Sequence, residues 1–181
     1  DAYEKGLNHL SNCEGVEVLH REQSAEVASG CGAGTCVLKT QAKDFISDEK
    51  MMEEVFGPST LLVEYDSPEE LLQIAEKLDG QLTVSIFGND SELQDYAALL
   101  STLETKAGRV IFNQFPTGVE VCKSVVHGGP FPATTDSRST SVGTGAILRF
   151  ARPVCFQGFP DEWLPGELKD ENPLGLQRCE G

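Results

Sequence analysis

Glu53-Glu54-Val55-Phe56-Gly57-Pro58 sets two adjacent carboxylates at a forced turn, because Pro58 pushes Gly57 out of the helical region and ends any preceding helix there. An ionised carboxylate offers two acceptor oxygens and can hold a vicinal diol bidentately, as acidic residues do with nucleotide ribose. The other reading is a surface glutamate near a helix C-terminus, mildly unfavourable against the helix dipole. His127 is the second candidate, standing beside the flexible pair Gly128-Gly129. An imidazole titrates near pH 6.5, so His127 reads either as a general base or as a loop histidine bonded to a carbonyl. His9 and His20 have no comparable setting and read as surface residues. The cysteines, at 13, 31, 36, 122, 155 and 179, contain no Cys-x-x-Cys. Cys31 and Cys36 are the closest pair and have no second pair to complete a zinc set, so no metal site is expected. Cys122 reads as structural, and Cys155, in an apolar run, as core or interface.

The elements that must position these residues begin with a short helix, capped by Asp1, whose apolar positions Tyr3, Leu7 and Leu10 share a face. Val16 to Leu19 and Thr35 to Leu38 read as short strands. Thr60 to Tyr65 reads as a strand, and Ser67-Pro68-Glu69-Glu70 opens a helix with an N-cap Ser, Pro at the first helical position and a capping-box Glu. Its buried stripe is Leu71, Ile74, Ala75 and Leu78, and Gly80 supplies a left-handed stop. Leu82 to Phe87 is the next strand. Asp90 or Ser91 opens a second helix carrying Leu93, Ala97, Leu100 and Leu103, and Arg109 to Asn113 returns as a third strand. The order is β-α-β-α-β, with crossovers of the length parallel strands require. Such sheets place ligands at the carboxyl ends of their strands, here Tyr65-Asp66, Gly88-Asn89 and Asn113-Gln114. Residues 114–144 show no sustained period and are rich in Gly, Pro, Ser and Thr, and ordered loops of that length usually line a site. A short helix from Thr144 to Phe150 then leads to a strand-forming run, Pro153 to Gln157, and a polar tail with the single Trp, Trp163.

The 181 residues carry 29 acidic against 14 basic side chains, a formal charge of −15 and a pI near 4.5. That field repels phosphate backbones and anionic lipid, so neither a nucleic-acid nor a membrane partner is expected. No apolar stretch approaches the ~20 residues a bilayer span needs, and no basic n-region precedes a hydrophobic run, so a cytoplasmic protein with free thiols is expected. The missing initiator Met before Asp1-Ala2-Tyr3 suggests a piece of a longer protein.

Glu54-Val55-Phe56-Gly57-Pro58 resembles the Glu-x-Phe-Gly-Pro motif of the aldehyde dehydrogenase superfamily, whose strand-helix-strand-helix-strand order follows. The resemblance covers nearly the whole chain. Gly118-Val119-Glu120-Val121-Cys122, His127-Gly128-Gly129-Pro130-Phe131-Pro132-Ala133-Thr134, Asp136-Ser137-Arg138 and Ser141-Val142-Gly143-Thr144 look like the 2-oxoglutarate semialdehyde and long-chain aldehyde branch, whose members commonly use NADP. Most of the family carries Pro-Phe-Gly-Gly where this chain has Gly-Gly-Pro-Phe-Pro-Ala, so pocket assignments from other branches do not transfer.

The resemblance implies an α/β fold with a parallel-sheet β-α-β-α-β unit, a long active-site loop and a C-terminal strand. Residues 1–150 would be the end of the catalytic domain, and residues 151–181 an oligomerisation tail that joins two copies through its strand. It implies that Glu54 contacts the ribose next to the nicotinamide of NADP (or NAD) and that Phe56 packs beside it. His127 would lie over the nucleophile as an auxiliary base, with Phe115, Pro116 and Arg138 toward a small aldehyde substrate. The nucleophilic Cys, the general-base Glu and the dinucleotide-binding fold lie upstream in that family. An aldehyde would be oxidised through a thiohemiacetal, hydride transfer and thioester hydrolysis. Two other readings stay open: a non-catalytic α/β binding module with the same fold, and a cysteine-based redox protein, which the missing Cys-x-x-Cys disfavours.

Overall fold

The computed structural model describes residues 2–22, 32–118 and 122–178, so the cap proposed at Asp1, residues Cys31 and Cys179, and the run 119–121 lie outside the described residues. Two units are present, Asp1–Ala146 and Ile147–Gly181.

In the first unit, α1 (Ala2–Ser11) buries Tyr3, Leu7 and Leu10, as their spacing predicts. Strand β1 (Glu17–Arg21) pairs antiparallel with β2 (Cys36–Gln41), and β2 pairs parallel with β3 (Ser59–Glu64). Alternate residues Cys36, Leu38 and Thr40 of β2 are buried, Leu38 completely, against α1 and against Phe45 of α2 (Ala42–Ser47). Six residues are too few to display a period, which is why α2 is silent in the sequence.

Helix α3 (Pro68–Lys77) begins as its sequence dictates: Ser67 caps it, its hydroxyl accepting from the Glu70 N–H at 3.3 Å. The Glu70 carboxylate reaches back one residue further than a capping box, accepting from the Asp66 N–H at 2.7 Å. The expected left-handed stop at Gly80 is not there: the helix is capped at Leu78, and Gly80 has no positive φ. A Cβ at Gly80 would collide with the Pro130 and Phe131 carbonyls, so this glycine serves close approach of the long loop.

Strands β4 (Gln81–Ile86) and β5 (Ala107–Phe112) pair in parallel around α4 (Ala97–Lys106). The second helix therefore starts later than expected. Asp90–Glu92 forms a separate 3-10 turn, where the Glu92 carboxylate accepts from the Asn89 N–H and its side-chain amide. On α4 it is Leu99 and Leu103, not Leu100, that are buried.

The chain is α/β with parallel strands, in the predicted element order, but β3 and β4 are not sheet neighbours. Strands β1, β2 and β3 form one sheet and β4 and β5 another. Helix α3 joins them by facing both ways: Ile74 and Leu78 pack on the α1–β2 core, while Ala75 and Leu71 pack with Leu99 and Leu103. Crossover length specifies a parallel return but not the edge to which the strand returns.

The described residues of the segment 114–143 form turns without helix or strand, as expected. Thr144–Phe150 forms the expected short helix, as a 3-10 helix, and with none of its residues buried it lacks the packed face that would sustain an α-helix. In the second unit, 3-10 turns span Asp161–Trp163 and Gly166–Leu168. The strand expected at residues 153–157 does not form. A strand needs a ladder partner, none of the described residues supplies one, and Pro153 has no N–H to donate. Cys155 is exposed rather than core, and Phe156 meets Phe159 edge-on at 5.4 Å. Among the described residues no helix is long and apolar enough to cross a membrane.

Candidate functional site

The segment 53–58 follows a 3-10 turn, Glu49–Met52, and is pinned at every second residue. Val55 packs on the α1 core, and Gly57 lies under the Tyr3 ring so closely that a Cβ there would collide with it. The Tyr3 hydroxyl donates to the Gly34 carbonyl at 2.8 Å, which holds the ring in place. The Pro58 carbonyl accepts from the Cys36 N–H at 3.0 Å, tying the turn to β2. The alternate residues Glu54 and Phe56 consequently face outward, Phe56 with 87% of its surface exposed. Glycine at position 57 is thus required by a ring from α1, while the proline after it only keeps the residue out of the helical region. Gly57→Ala is expected to destabilise the chain by about 1–3 kcal/mol through overpacking, and to cost less than about 0.5 kcal/mol in a Tyr3→Ala background. Urea unfolding of the four proteins in that cycle checks it. Equal costs in both backgrounds would remove Tyr3 as the cause.

Glu54 makes no hydrogen bond or ion pair with the described residues, leaving both carboxylate oxygens available as acceptors. It lines a cavity of about 560 Å³ with Met52, Asp79, Gly80, Gln81, Leu82, Pro132 and others. This acceptor set suits the hydroxyls of a ribose diol, and the neighbouring Phe56 ring supplies an exposed apolar face.

His127 lies beside the amino ends of β4 and β5. The run Gly128-Gly129-Pro130 crosses the amino ends of β4 and β5: a Cβ at Gly108 would strike the Gly128 carbonyl, and one at Gly129 the Gln81 carbonyl. His127 lines a cavity of about 190 Å³ with Leu82, Thr83, Arg109, Pro116 and Val126. Leu82 walls both this cavity and the one holding Glu54, so the two candidates occupy adjoining spaces at the start of β4. The Ser141 hydroxyl lies 3.1 Å from His127 Nδ1, and the Thr140 hydroxyl accepts from the His127 N–H at 2.9 Å.

The crevice anticipated at the carboxyl ends of the strands also exists, about 290 Å³ between Tyr65, Phe87, Gly88, Asn89, Tyr96 and Phe112, but neither Glu54 nor His127 enters it. Asn113, in the left-handed region at φ 51°, staples its rim: its side chain accepts from the Gly88 N–H at 3.0 Å and donates to the Gly88 carbonyl at 2.9 Å. Phe115 stacks at a tilt on Phe87, centroids 5.1 Å apart, and Pro116 reaches the His127 cavity.

Arg138 is not joined to these spaces. It is 90% exposed and paired with Asp136 at 3.1 Å. Its backbone N–H, and then its guanidinium, hold the Asp136 carboxyl below the usual carboxylate range, so whatever the pair contributes is lost only as pH falls through that depressed value. The cation that does enter is Arg109, which sequence reasoning passed over. Its guanidinium donates to the Gly118 carbonyl at 3.0 Å and the Pro116 carbonyl at 3.2 Å, bracing the turn that carries Phe115 and Pro116. An arginine inside a strand gives no signal of this until the loop folds back over it. Among the described residues no cluster of His, Cys, Asp or Glu could hold a metal ion.

The aldehyde dehydrogenase family profile matches residues 7–130, most of the chain, and the chain belongs to that family. It is 46% identical over 178 residues to the alpha-ketoglutaric semialdehyde dehydrogenase of Acinetobacter baylyi, and 42% identical over 178 residues to alpha-ketoglutaric semialdehyde dehydrogenase 2 of Azospirillum brasilense. Each alignment covers 98% of this chain and 34% of the relative, so the chain spans about a third of their length. The fold is that of the Delta-pyrroline-5-carboxylate dehydrogenase of Mycobacterium tuberculosis, at TM-score 0.62 and 19% identity over 91% of this chain and 31% of that one. The structure of that enzyme bound with NAD aligns at TM-score 0.54 and 20% identity, covering 82% and 25%.

Proposed function

We propose that this chain is the C-terminal third of an NADP-dependent dehydrogenase that oxidises 2-oxoglutarate semialdehyde, or a long-chain aldehyde, to the acid. The observation that carries the reading is the unpartnered Glu54 carboxylate, held outward by Val55 and Gly57 beside an exposed Phe56, in a chain 46% identical to a semialdehyde dehydrogenase. When bound, the nicotinamide nucleotide accepts the hydride. Glu54 accepts hydrogen bonds from the adjacent ribose and fixes its angle, and Phe56 covers one apolar face. His127 takes or holds a proton at Nε2 during thiol or water activation, while Phe115 and Pro116, braced by Arg109, border the substrate.

The residues at the start of β4 lend support, since Glu54 and His127 share the Leu82 wall. NADP is placed ahead of NAD on the branch resemblance. A reducing cytoplasmic setting suits the free thiols of Cys13, Cys36, Cys122 and Cys155. The test is turnover of the parent polypeptide on 2-oxoglutarate semialdehyde, succinate semialdehyde and a long-chain aldehyde, each with NADP and with NAD. A kcat/KM no better for the first and third substrates than for succinate semialdehyde would refute the substrate assignment, and a preference for NAD the cofactor assignment.

The proposal includes a homodimer formed through residues 153–157. Val154 and Phe156 are exposed, and a second copy would supply the ladder partner this segment lacks. The −15 charge opposes approach, so association should strengthen with salt. Light scattering from low to high salt is expected to show growing dimer, abolished by Phe156→Lys. A strict monomer throughout, or a Phe156→Lys dimer, would remove this interface.

A further inference from the structure

We infer that Ser141 is a positioning residue for His127, setting the imidazole in the Nδ1–H tautomer so that Nε2 presents its lone pair as a proton acceptor. The inference rests on the reading of His127 as an auxiliary base and adds the group that makes it one.

The assignment follows from counting protons. The Ser141 hydroxyl lies 3.0 Å from the His127 carbonyl and 3.1 Å from His127 Nδ1. A hydroxyl has a single proton and a carbonyl can only accept, so the Ser141 proton goes to the carbonyl. With that proton committed, the short contact to Nδ1 is favourable only if Nδ1 is the donor and the hydroxyl oxygen the acceptor. The opposite arrangement would leave two acceptor oxygens facing each other at 3.0 Å with nothing between them.

The geometry is held from both sides of the loop. The Ser141 N–H also donates to the His127 carbonyl, at 3.2 Å. The Thr140 hydroxyl accepts from the His127 N–H at 2.9 Å and donates to the Val142 carbonyl at 3.1 Å. Gly128, next in the chain, is buried and lies under the Ser139 carbonyl, so the two arms of the loop also touch one residue beyond the His127–Thr140 and His127–Ser141 contacts. Nε2 is then the ring nitrogen without a protein partner among the described residues. His127 borders the cavity shared with Leu82, Thr83, Arg109 and Pro116. A neutral imidazole accepts a proton only at its unprotonated nitrogen, so the tautomer decides whether His127 acts as a base toward that cavity or only donates to it.

The test is long-range 1H–15N correlation of the 15N-labelled 181-residue chain at a pH where the rings are neutral, with His9 and His20 as internal references. His127 is expected to be shifted about two- to tenfold toward Nδ1–H relative to those references, the range one net hydrogen bond supplies. Ser141→Ala should return it to the reference ratio, and Ser141→Thr, which keeps the hydroxyl, should preserve it. A His127 whose tautomer ratio matches that of His9 and His20, or one whose ratio is untouched by Ser141→Ala in a chain with an otherwise unchanged spectrum, would overturn the inference. The parent polypeptide separates the two ideas. If the tautomer behaves as expected but His127→Asn leaves kcat and its pH profile unchanged, the base reading fails and the tautomer assignment stands.

Discussion

Purified as it stands, the 181-residue chain forms no reduced nucleotide from any aldehyde above a buffer control. Hydride transfer requires a thiol adduct and a nicotinamide held at reacting distance, an advantage equivalent to effective molarities of roughly 10⁵–10⁸ M, and loose association cannot replace it. On the proposed reading the chain would supply Glu54, Phe56 and His127 toward such a site, but among the described residues no thiol is suited to be the nucleophile. Cys36 is buried in β2. Burial pushes the Cys13 thiol up, away from the reactive thiolate. Cys122 is exposed and within 3.3 Å of the Ser124 hydroxyl, and Cys155 belongs to the other unit. Aldehyde-dependent absorbance at 340 nm that tracks the protein through purification would overturn this division of labour. The parent polypeptide, assayed in parallel, is expected to be active.

In that parent, Glu54→Gln is expected to slow the hydride step about 10- to 100-fold while leaving the fold intact. One charge-assisted hydrogen bond contributes about 1.5–3 kcal/mol, and each 1.36 kcal/mol is a factor of ten in rate. Glutamine keeps the shape and one acceptor oxygen but loses the charge. The carboxylate makes no hydrogen bond or ion pair with the described residues, so its neutralisation is expected to change stability by less than about 0.5 kcal/mol. A slower hydride step should also raise the deuterium isotope effect on kcat when a deuterated aldehyde is used. Wild-type turnover with an unchanged isotope effect would make Glu54 an ordinary surface glutamate. A large loss of stability instead would show that the segment 53–58 depends on it.

Much of the local structure was legible because short-range physics settles it. Ser67-Pro68 and the spacing of Tyr3, Leu7 and Leu10 act within one or two helical turns, and both helices form where these signals place them. The resemblance of the segment 54–58 pointed to the family to which the chain belongs, whereas the outward placement of Glu54 and Phe56 is decided by Val55 packing on the α1 core and Gly57 lying under the Tyr3 ring. What the sequence left undecided depends on which surfaces meet. Whether β4 returns beside β3 is decided by α3 packing on two cores at once. The role of Gly80 is decided by a loop fifty residues later that presses carbonyls onto it. The expected strand at residues 153–157 has the right alternation and no partner among the described residues, and a ladder cannot be formed by one strand. His127 and Ser141 are fourteen residues apart with no period between them, and only the fold of the long loop brings hydroxyl and ring within hydrogen-bond distance. Residue types along this chain thus determined which groups could do chemistry, because acidity, donor count and backbone restriction are properties of single residues. Tertiary structure decided which of them share a cavity, because that depends on contacts between segments whose separation in sequence carries no signal.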